Sequence, residues 1–168
     1  MLCFKWVHKY DKILVIGGKI MNDLIIEKLQ KSDLKEAISI YDNNHNTKTN
    51  YERLFQEYDK IYNNSDYHNI VVKFNGKIVC MATIVINRDI VGELHPFLTV
   101  WNLGVHKDYR RRKIGTAMLD YIYNYAKNLR CDFIALIAET DNIIGQRFYE
   151  SLGYIREVGY VKLINKEK

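Results

Sequence analysis

The sequence has little of what disulfide-rich or metal-binding proteins depend on. Its 168 residues include one proline and three cysteines, and these cysteines form no C-x-x-C pair. Neither a disulfide framework nor a zinc site is expected from Cys3, Cys80 and Cys131, and a reducing compartment fits this usage. The five histidines are also scattered along the chain. We therefore expect no metal site.

Long hydrophobic runs are absent as well. No apolar stretch approaches the roughly 20 residues that a membrane-spanning helix needs. The short apolar run at residues 13–16 is crowded by Asp11, Lys12 and Lys19, and no small-residue cleavage site follows it. It is therefore not typical of a signal peptide. We expect a cytoplasmic protein with no membrane partner.

What is present favours one globular domain of mixed α/β class. A hydrophobic share of 48% and a charged share of 27% are ordinary for such a domain, and the net charge of +5 favours anionic partners only weakly. Residues 1–20 are assigned to an N-terminal extension of uncertain role, and residues 21–168 to a single domain. Gly18-Lys19 is not a P-loop, because the upstream glycine is absent and Ile20 replaces Ser or Thr.

The hydrophobic pattern predicts the element order β-α-α-β-β-β-α-β-α-β, which indicates a mixed sheet with helices on both faces. Strands are predicted over residues 24–29, 70–74, 78–86, 97–105 and 133–138, with one or two closing strands over 154–164. Helices are predicted over residues 32–41, 50–62, 114–129 and 142–151. Residues 42–46 are predicted as a polar loop. Glu36, three residues after Asp33, suggests a capping box, and Asn75-Gly76 suits a type I′ turn.

A run of four cations stands between a predicted strand and a predicted helix. Arg110, Arg111, Arg112 and Lys113 directly precede the helix that begins near Ile114. The first turn of a helix carries about half a positive charge and unpaired N–H groups, so cations there destabilise it. They become favourable if an anion lies among them. The turn therefore predicts a phosphate-binding site, with a solvated basic loop or a nucleic-acid patch as the alternatives.

Two stretches of the sequence resemble the GNAT superfamily of N-acetyltransferases. YRRRKIGTAML resembles that family's acetyl-CoA pyrophosphate loop, [QR]-x-x-G-x-[GA], followed by its helix. NIIGQRFYESLGY resembles the family pattern N-x-x-[AG]-x-x-F-Y-x-x-x-G-F, and it follows after one helix and one strand. The resemblance covers residues 24–163. It implies the GNAT fold, a central six- to seven-stranded mixed sheet flanked by about four helices, with acetyl-CoA as co-substrate.

The first motif departs from the family pattern at one position. Aligning the flanking residues puts Arg110 at the [QR] position and Lys113 where the first glycine is usual. A second register, built on Arg112, Gly115 and Ala117, satisfies the written pattern but displaces the flanking residues, so the first is preferred. A side chain at Lys113 limits close backbone approach and positive φ. Its ammonium group is able to compensate by pairing with a phosphate oxygen.

The resemblance implies a cofactor site at the junction of strand and helix. The strand end would pair its backbone with the pantetheine arm, like an added strand, through Leu103, Gly104 and Val105. The turn and first helical residues would hold the pyrophosphate: Arg110, Arg111, Arg112, Lys113, Ile114, Gly115 and Thr116. Gly104 is compatible with a bulge or a close backbone approach, an ordinary strand glycine being the alternative. Asn142 would bond the pantetheine, cap its own helix, or do both.

Tyr149 is the candidate general acid that the resemblance implies. It would touch the cofactor and protonate the thiolate that leaves when an amine attacks the thioester. The alternative is a core aromatic, like its neighbour Phe148. The general base stays open. Trp101 stands where many family members carry a strand glutamate, which leaves Glu93, His95, Glu139 or a chain of waters as candidates for accepting the amine proton.

Direct transfer in a ternary complex is expected, since neither Cys80 nor Cys131 has an activating neighbour in sequence. The acceptor is predicted over residues 44–45, the Tyr51 end of the second helix and the connection 88–97. It is a small-molecule or peptide amine: an amino sugar, polyamine, amino acid, antibiotic, peptide N-terminus or lysine. A homodimer is one candidate assembly. Two other functions stay open: a non-catalytic acyl-CoA sensor and, ranked last, a nucleic-acid binder.

Overall fold

The computed structural model describes residues 24–162 and, before them, the backbone of three short strands. These are β1 (Val7–Lys9), β2 (Leu14–Ile16) and β3 (Lys19–Met21). The chain divides into two compact units, Met1–Ile137 and Ala138–Lys168, called unit 1 and unit 2 below. Cys3 lies outside the described residues.

A six-stranded mixed sheet organises unit 1, in the order β1-β4-β5-β6-β7-β8. Its other strands are β4 (Leu24–Lys28), β5 (Tyr67–Phe74), β6 (Lys77–Asn87), β7 (Phe97–Val105) and β8 (Ile134–Leu136). Neighbouring strands are antiparallel except for β7 and β8, which are parallel. β2 and β3 form a separate antiparallel pair. The short β1, which lies within the predicted extension, thus belongs to the sheet.

Four helices accompany the strands: α1 (Leu34–His45), α2 (Tyr51–Tyr62), α3 (Ile114–Asn128) and, in unit 2, α4 (Ile143–Ser151). α1 and α2 pack on one face of the sheet, where one buried cluster holds Leu29, Leu34, Ala37, Ile40, Tyr58, Val71, Ile78 and Met81. α3 packs against β6 and β7. Its Tyr125 reaches His68, which points to the opposite face from Val71 because strand side chains alternate. The predicted mixed α/β fold is confirmed.

Local signals placed the hairpin and the middle strand correctly. Asn75 has φ 50° and Gly76 has φ 75°, so both central residues are left-handed, as a type I′ turn requires. β6, apolar at nearly every position, is buried along most of its length on both faces. Asn50 caps α2, because its side chain accepts a hydrogen bond from the Arg53 amide at 3.0 Å.

The predicted capping box at the start of α1 is wrong. Asp33 is the N-cap residue, but its side chain makes no capping hydrogen bond. Its carboxylate lies 2.6 Å from the Lys73 ammonium on β5, and Glu36 accepts from the Ile78 amide on β6 at 3.2 Å. Both acids bind the sheet, because Lys73 and the Ile78 amide lie within their reach. These two partners are distant in sequence, so the local pattern did not indicate them.

The polar loop predicted at residues 42–46 is also wrong, because α1 continues through His45. It ends at Asn46, which has φ 52°. The Asp42 carboxylate accepts hydrogen bonds from both threonine hydroxyls after the helix, Thr47 at 2.8 Å and Thr49 at 2.9 Å. These contacts stabilise the helix end. The run of Asp and Asn suggested a loop, but the hydrogen bonds of the Asp42 carboxylate stabilise the last turn of the helix.

Unit 2 contains α4, and residues 154–162 after it form neither helix nor strand. The closing strands predicted over 154–164 are absent from residues 154–162, the part of that range that the structure describes. The strand predicted over 133–138 is shorter, Ile134–Leu136, and half-buried. β-branched and aromatic residues fit a pleated surface, but a strand forms only where a neighbour pairs with its backbone. Side-chain propensity alone therefore overestimated the strands at this end of the chain.

Candidate functional site

The basic turn between β7 and α3 has an unusual backbone. A 3₁₀ turn at Lys107–Tyr109 follows β7, and Arg111 (φ 61°) and Lys113 (φ 53°) are left-handed. Lys113 is the N-cap of α3, with no side-chain capping bond, and its carbonyl accepts from the Ala117 amide at 2.9 Å. The amides of residues 114–116 precede that bond and have no partner four residues back. A helix start of this kind favours negative charge, and here it lies directly behind the cations.

Lys113 occupies the glycine position of the motif and takes the left-handed conformation that glycine adopts without strain. The lysine therefore carries the strain of this conformation. For an ordinary L-residue this conformation costs about 1–2 kcal/mol. The second left-handed residue, Arg111, has the same conformational cost. The turn is therefore held in place by the packing on either side of it.

Lys113→Gly is expected to have a free energy of unfolding about 1 kcal/mol higher than Lys113→Ala, because only alanine keeps a Cβ at positive φ. Urea denaturation at pH 7 would measure the difference. The same pair of substitutions at Asn124, exposed in the middle of α3, is the control and should favour alanine, as helix interiors do. A higher free energy of unfolding for Lys113→Ala than for Lys113→Gly would contradict a strained backbone at this position.

Two cations lie close to the ring of Tyr109 in the turn. The Arg112 guanidinium lies 5.3 Å and the Lys77 ammonium 5.8 Å from the ring centroid, both within cation–π range. Phe74 contacts the same ring edge-on, with centroids 6.2 Å apart. Phe74 and Lys77 flank the β5–β6 hairpin turn. This hairpin therefore places the positive charge of Lys77 next to the basic turn. The sequence alone did not indicate Lys77, which is more than thirty positions away.

Arg110 is held by protein atoms at the end of β7. Its Nε donates to the Val105 carbonyl at 3.3 Å, and its Nη2 donates to the Asn44 side-chain oxygen on α1. Beside them lies a cavity of about 210 Å³ lined by Ile40, Asn43, Asn44, His106, Lys107 and Arg110. Asn44, predicted on the acceptor side, therefore lies against the basic turn.

A β-bulge interrupts the pairing of β7 with β6. Met81 lies opposite Gly104 and Thr83 opposite Trp101, so β7 carries one extra residue between these pairs. The left-handed residue of the bulge is Asn102, at φ 52°. Gly104, the predicted position for a bulge or a close approach, allows the Asn44 side chain to approach closely. A Cβ at Gly104 would lie 3.2 Å from Asn44 Nδ2.

The bulge is tied to the sheet by a chain of side-chain hydrogen bonds. Asn102 Nδ2 donates to the buried Thr83 hydroxyl at 3.3 Å, and that hydroxyl donates to Asn69 Oδ1 at 2.7 Å. The chain crosses β7, β6 and β5 on the face that α1 and α2 cover. Sequence reasoning missed it, although asparagine is enriched at positive φ and could have marked the bulge.

Two of the base candidates lie near the opposite end of β7. His95 Nδ1 is 2.9 Å from the Asp132 carboxylate, and Nε2 is 3.8 Å from Glu93. These residues precede β7, whereas the basic turn follows it, and nine residues of strand extend roughly 26 Å or more. The structure therefore does not bring residues 44–45 and the 88–97 connection together as one acceptor site.

Unit 2 holds the other predicted site residues. Asn142 caps α4: its side-chain oxygen accepts from the Gly145 amide at 2.9 Å. A Cβ on Gly145 would lie 2.6 Å from Asn142 Nδ2, so the cap requires glycine there. The Gln146 amide donates to the backbone carbonyl of Glu139 at 2.8 Å. Tyr149 is half-buried in α4, and its ring meets that of Tyr154 edge-on, 6.1 Å between centroids.

The basic turn and the α4 motif lie within one stretch that matches a known family. A model described as the Acetyltransferase (GNAT) family matches residues 32–154, from just before α1 to just beyond α4. The chain belongs to the GNAT family. The resemblance seen in the two motifs is thereby confirmed. GNAT proteins are acyltransferases that use acetyl-CoA as co-substrate, and the basic turn lies within the matched residues.

Known GNAT relatives agree with this assignment at the level of sequence and fold. Over 54 residues the chain is 39% identical to an uncharacterized N-acetyltransferase of Methanocaldococcus jannaschii, a match that covers 32% of this chain and 35% of that protein. A glucosamine-6-phosphate N-acetyltransferase from Arabidopsis thaliana superimposes with TM-score 0.73 at 18% identity, over 84% of this chain and 99% of that chain. An aminoglycoside acetyltransferase from an uncultured soil metagenomic sample gives 0.72 at 21% identity, over 88% and 98%.

The two cysteines in the described part of the chain, Cys80 and Cys131, are poorly suited to act as nucleophiles. Burial raises the pKa of the Cys80 thiol well above its usual range, and burial together with Asp132 raises the pKa of Cys131. A thiol needs a lowered pKa to form the reactive thiolate at neutral pH. Within residues 24–162, no three His, Cys, Asp or Glu side chains are grouped as metal ligands. In the described part of the chain, no helix is both long and apolar enough to cross a bilayer.

Proposed function

We propose that this GNAT protein transfers an acetyl group from acetyl-CoA to a primary amine by direct transfer in a ternary complex. The observation that carries the proposal is the basic turn: two left-handed residues, Arg111 and Lys113, lead into a helix whose N-cap makes no side-chain capping bond. Four consecutive cations at a helix start are unfavourable without an anion. The cofactor's pyrophosphate would supply that anion.

The residues of the turn would divide the binding between backbone and side chains. The amides of residues 114–116 would donate to pyrophosphate oxygens, and the side chains of Arg110, Arg111, Arg112 and Lys113 would balance the negative charge. The strand end beyond the bulge, residues 103–105, would lie along the pantetheine arm. The cavity beside Arg110 has no carboxylate in its lining, which suits an anionic cofactor.

The chemistry requires two proton movements. When bound, acetyl-CoA supplies a thioester carbonyl carbon for the amine to attack, so that a C–N bond forms, the C–S bond breaks and CoA leaves as a thiolate. Tyr149 would give that thiolate its proton. We propose that the amine proton leaves through water, because β7 carries no carboxylate and because Glu93 and His95 precede β7, at the end away from the basic turn.

Incubation with acetyl-CoA and a panel of amines is expected to release free CoA thiol with at least one of them. The panel would hold amino sugars, polyamines, amino acids, aminoglycosides, peptides and free lysine. When both substrates are varied, direct transfer predicts that the lines of a double-reciprocal plot of the initial rates intersect, because both substrates must be bound before product forms. Parallel lines would contradict the ternary complex and indicate an acylated protein.

The second candidate is a sensor that binds acyl-CoA without turnover. The absence of a carboxylate from β7, where Trp101 stands at the position of the family glutamate, favours it. A sensor would be stabilised by acetyl-CoA in thermal unfolding. It would release no thiol with any amine in the panel.

A further inference from the structure

We propose that Asn44, on α1, is a positioning residue that holds Arg110 ready for the cofactor's phosphates. The inference rests on the proposed function and concerns a residue outside both sequence motifs. Asn44 and Arg110 are 66 positions apart, and each belongs to a different element. The contact joins the last turn of α1 to the basic turn.

Three groups form a closed set of hydrogen bonds at this point. Asn44 Nδ2 donates to the Val105 carbonyl at 3.3 Å, and Arg110 Nε donates to the same carbonyl at 3.3 Å. Asn44 Oδ1 accepts from Arg110 Nη2. Each group therefore contacts the other two, which restrains the guanidinium at both its Nε and its Nη2. A free arginine side chain would lose considerable rotamer entropy when it meets a ligand, and a restrained one loses less.

The partners of Arg110 leave its charge and most of its donors available. A guanidinium has five N–H groups, and the two bonds use two of them. Both acceptors are neutral: one is a backbone carbonyl, and the other is a side-chain amide. A carboxylate in place of the Asn44 amide could also accept from Arg110, but it would cancel the charge of Arg110 and could not donate to the Val105 carbonyl. An uncharged amide fits a group that must bind an anion.

The surroundings are shaped to let Asn44 reach the strand end. At Gly104 a Cβ would lie 3.2 Å from Asn44 Nδ2 and 3.5 Å from Ile40 Cγ2, tight enough to displace the amide. Glycine at this position therefore admits the α1 side chains. The adjoining cavity of about 210 Å³ is lined by Arg110 and Lys107 and by no acid. An anion beside Arg110 would meet a second cation there.

Asn44→Ala is expected to raise the Kd for acetyl-CoA by about tenfold, the order of one charged hydrogen bond, and to change kcat by less than about twofold. Isothermal titration with acetyl-CoA and steady-state kinetics would measure the two effects. Asn44→Asp should bind more weakly than Asn44→Ala, because it neutralises Arg110 and repels phosphate. Asn124→Ala, an exposed helical asparagine that donates to the Asp120 carbonyl of its own helix, is the matched control.

A double-mutant cycle tests whether Asn44 acts through Arg110. In the Arg110→Ala background, Asn44→Ala should have almost no further effect on the Kd, because the residue it positions is gone. Additive losses, or an unchanged Kd in Asn44→Ala, would overturn the inference. If Asn44→Ala does not fold, the comparison of Asn44→Asp with wild type decides: an unchanged Kd rejects the positioning role. Failure of the wild type to bind acetyl-CoA would instead reject the proposed function itself.

Discussion

Tyr149→Phe is expected to lower kcat by at least about 10²-fold, the usual contribution of a positioned general acid. The Kd for acetyl-CoA should stay within about twofold of wild type, because phenylalanine keeps the ring and removes only the hydroxyl. In the proposed mechanism this hydroxyl would donate its proton to a thiolate that exists only after the C–S bond has begun to break. Its loss should therefore affect turnover and leave ground-state binding intact.

Steady-state kinetics with the best amine of the panel would give kcat, and titration calorimetry would give the Kd. Tyr123→Phe is the control, because Tyr123 is 58% exposed on α3 and loses the same atom. Turnover equal to wild type in Tyr149→Phe would remove Tyr149 from the mechanism. A parallel loss of binding and turnover would indicate that the hydroxyl supports the cofactor site and does not act as an acid.

Acidification from pH 7 to pH 4.5 is expected to destabilise the fold through His68, by about 2–3 kcal/mol. His68 lies on β5 under α3 and is 5% exposed, with its Nε2 3.3 Å from the Tyr125 hydroxyl. Burial, assisted by the positive charge of Lys28, lowers the pKa of His68 from 6.5 to about 4. The imidazole is therefore neutral in the folded chain throughout the neutral and mildly acidic range.

The sign follows from where each state binds the proton. Above pH 6.5 the imidazole is neutral in both states and contributes no pH dependence. Between pH 6.5 and about 4 the unfolded chain binds a proton that the folded chain excludes. The free energy of unfolding therefore decreases as the pH is lowered through this range. Below about pH 4 both states are protonated and this contribution is constant.

Urea denaturation of wild type and His68→Gln at pH 7 and pH 4.5 would measure the effect. Glutamine does not titrate, so the variant should lose about 2–3 kcal/mol less than wild type over this interval. His45→Gln, at an exposed position on α1, should lose as much as wild type. Equal losses in wild type and His68→Gln would contradict a depressed pKa at His68.

The features predicted correctly from sequence are those that a short stretch of chain determines. α2 and α3 follow from apolar residues at helical spacing, and the type I′ turn follows from Asn75-Gly76. The cap on α2 by Asn50 needs only the next three residues. The GNAT motifs are equally local, since each runs over fewer than fifteen consecutive residues, and they indicated the family.

The errors arose where a local pattern met a distant partner. The acids Asp33 and Glu36 suggested a capping box, but they bind Lys73 and the Ile78 amide on neighbouring strands. Residues 42–46 suggested a loop, although α1 continues through His45 and ends at Asn46. The closing strands were predicted from propensity, which does not state whether a neighbouring strand is available for pairing.

By itself, the sequence determined the family, the position of the basic turn and the helix that follows it, because these depend on the backbone preferences and chemistry of adjacent residues. Only the tertiary structure decided which side chains meet. It placed Asn44 against Arg110, tied the bulge at Asn102 to Thr83, and buried His68 under α3. These contacts join residues that are 66, 19 and 57 positions apart. Closing such distances requires the whole sheet and its helices, so no window of the sequence contains both partners.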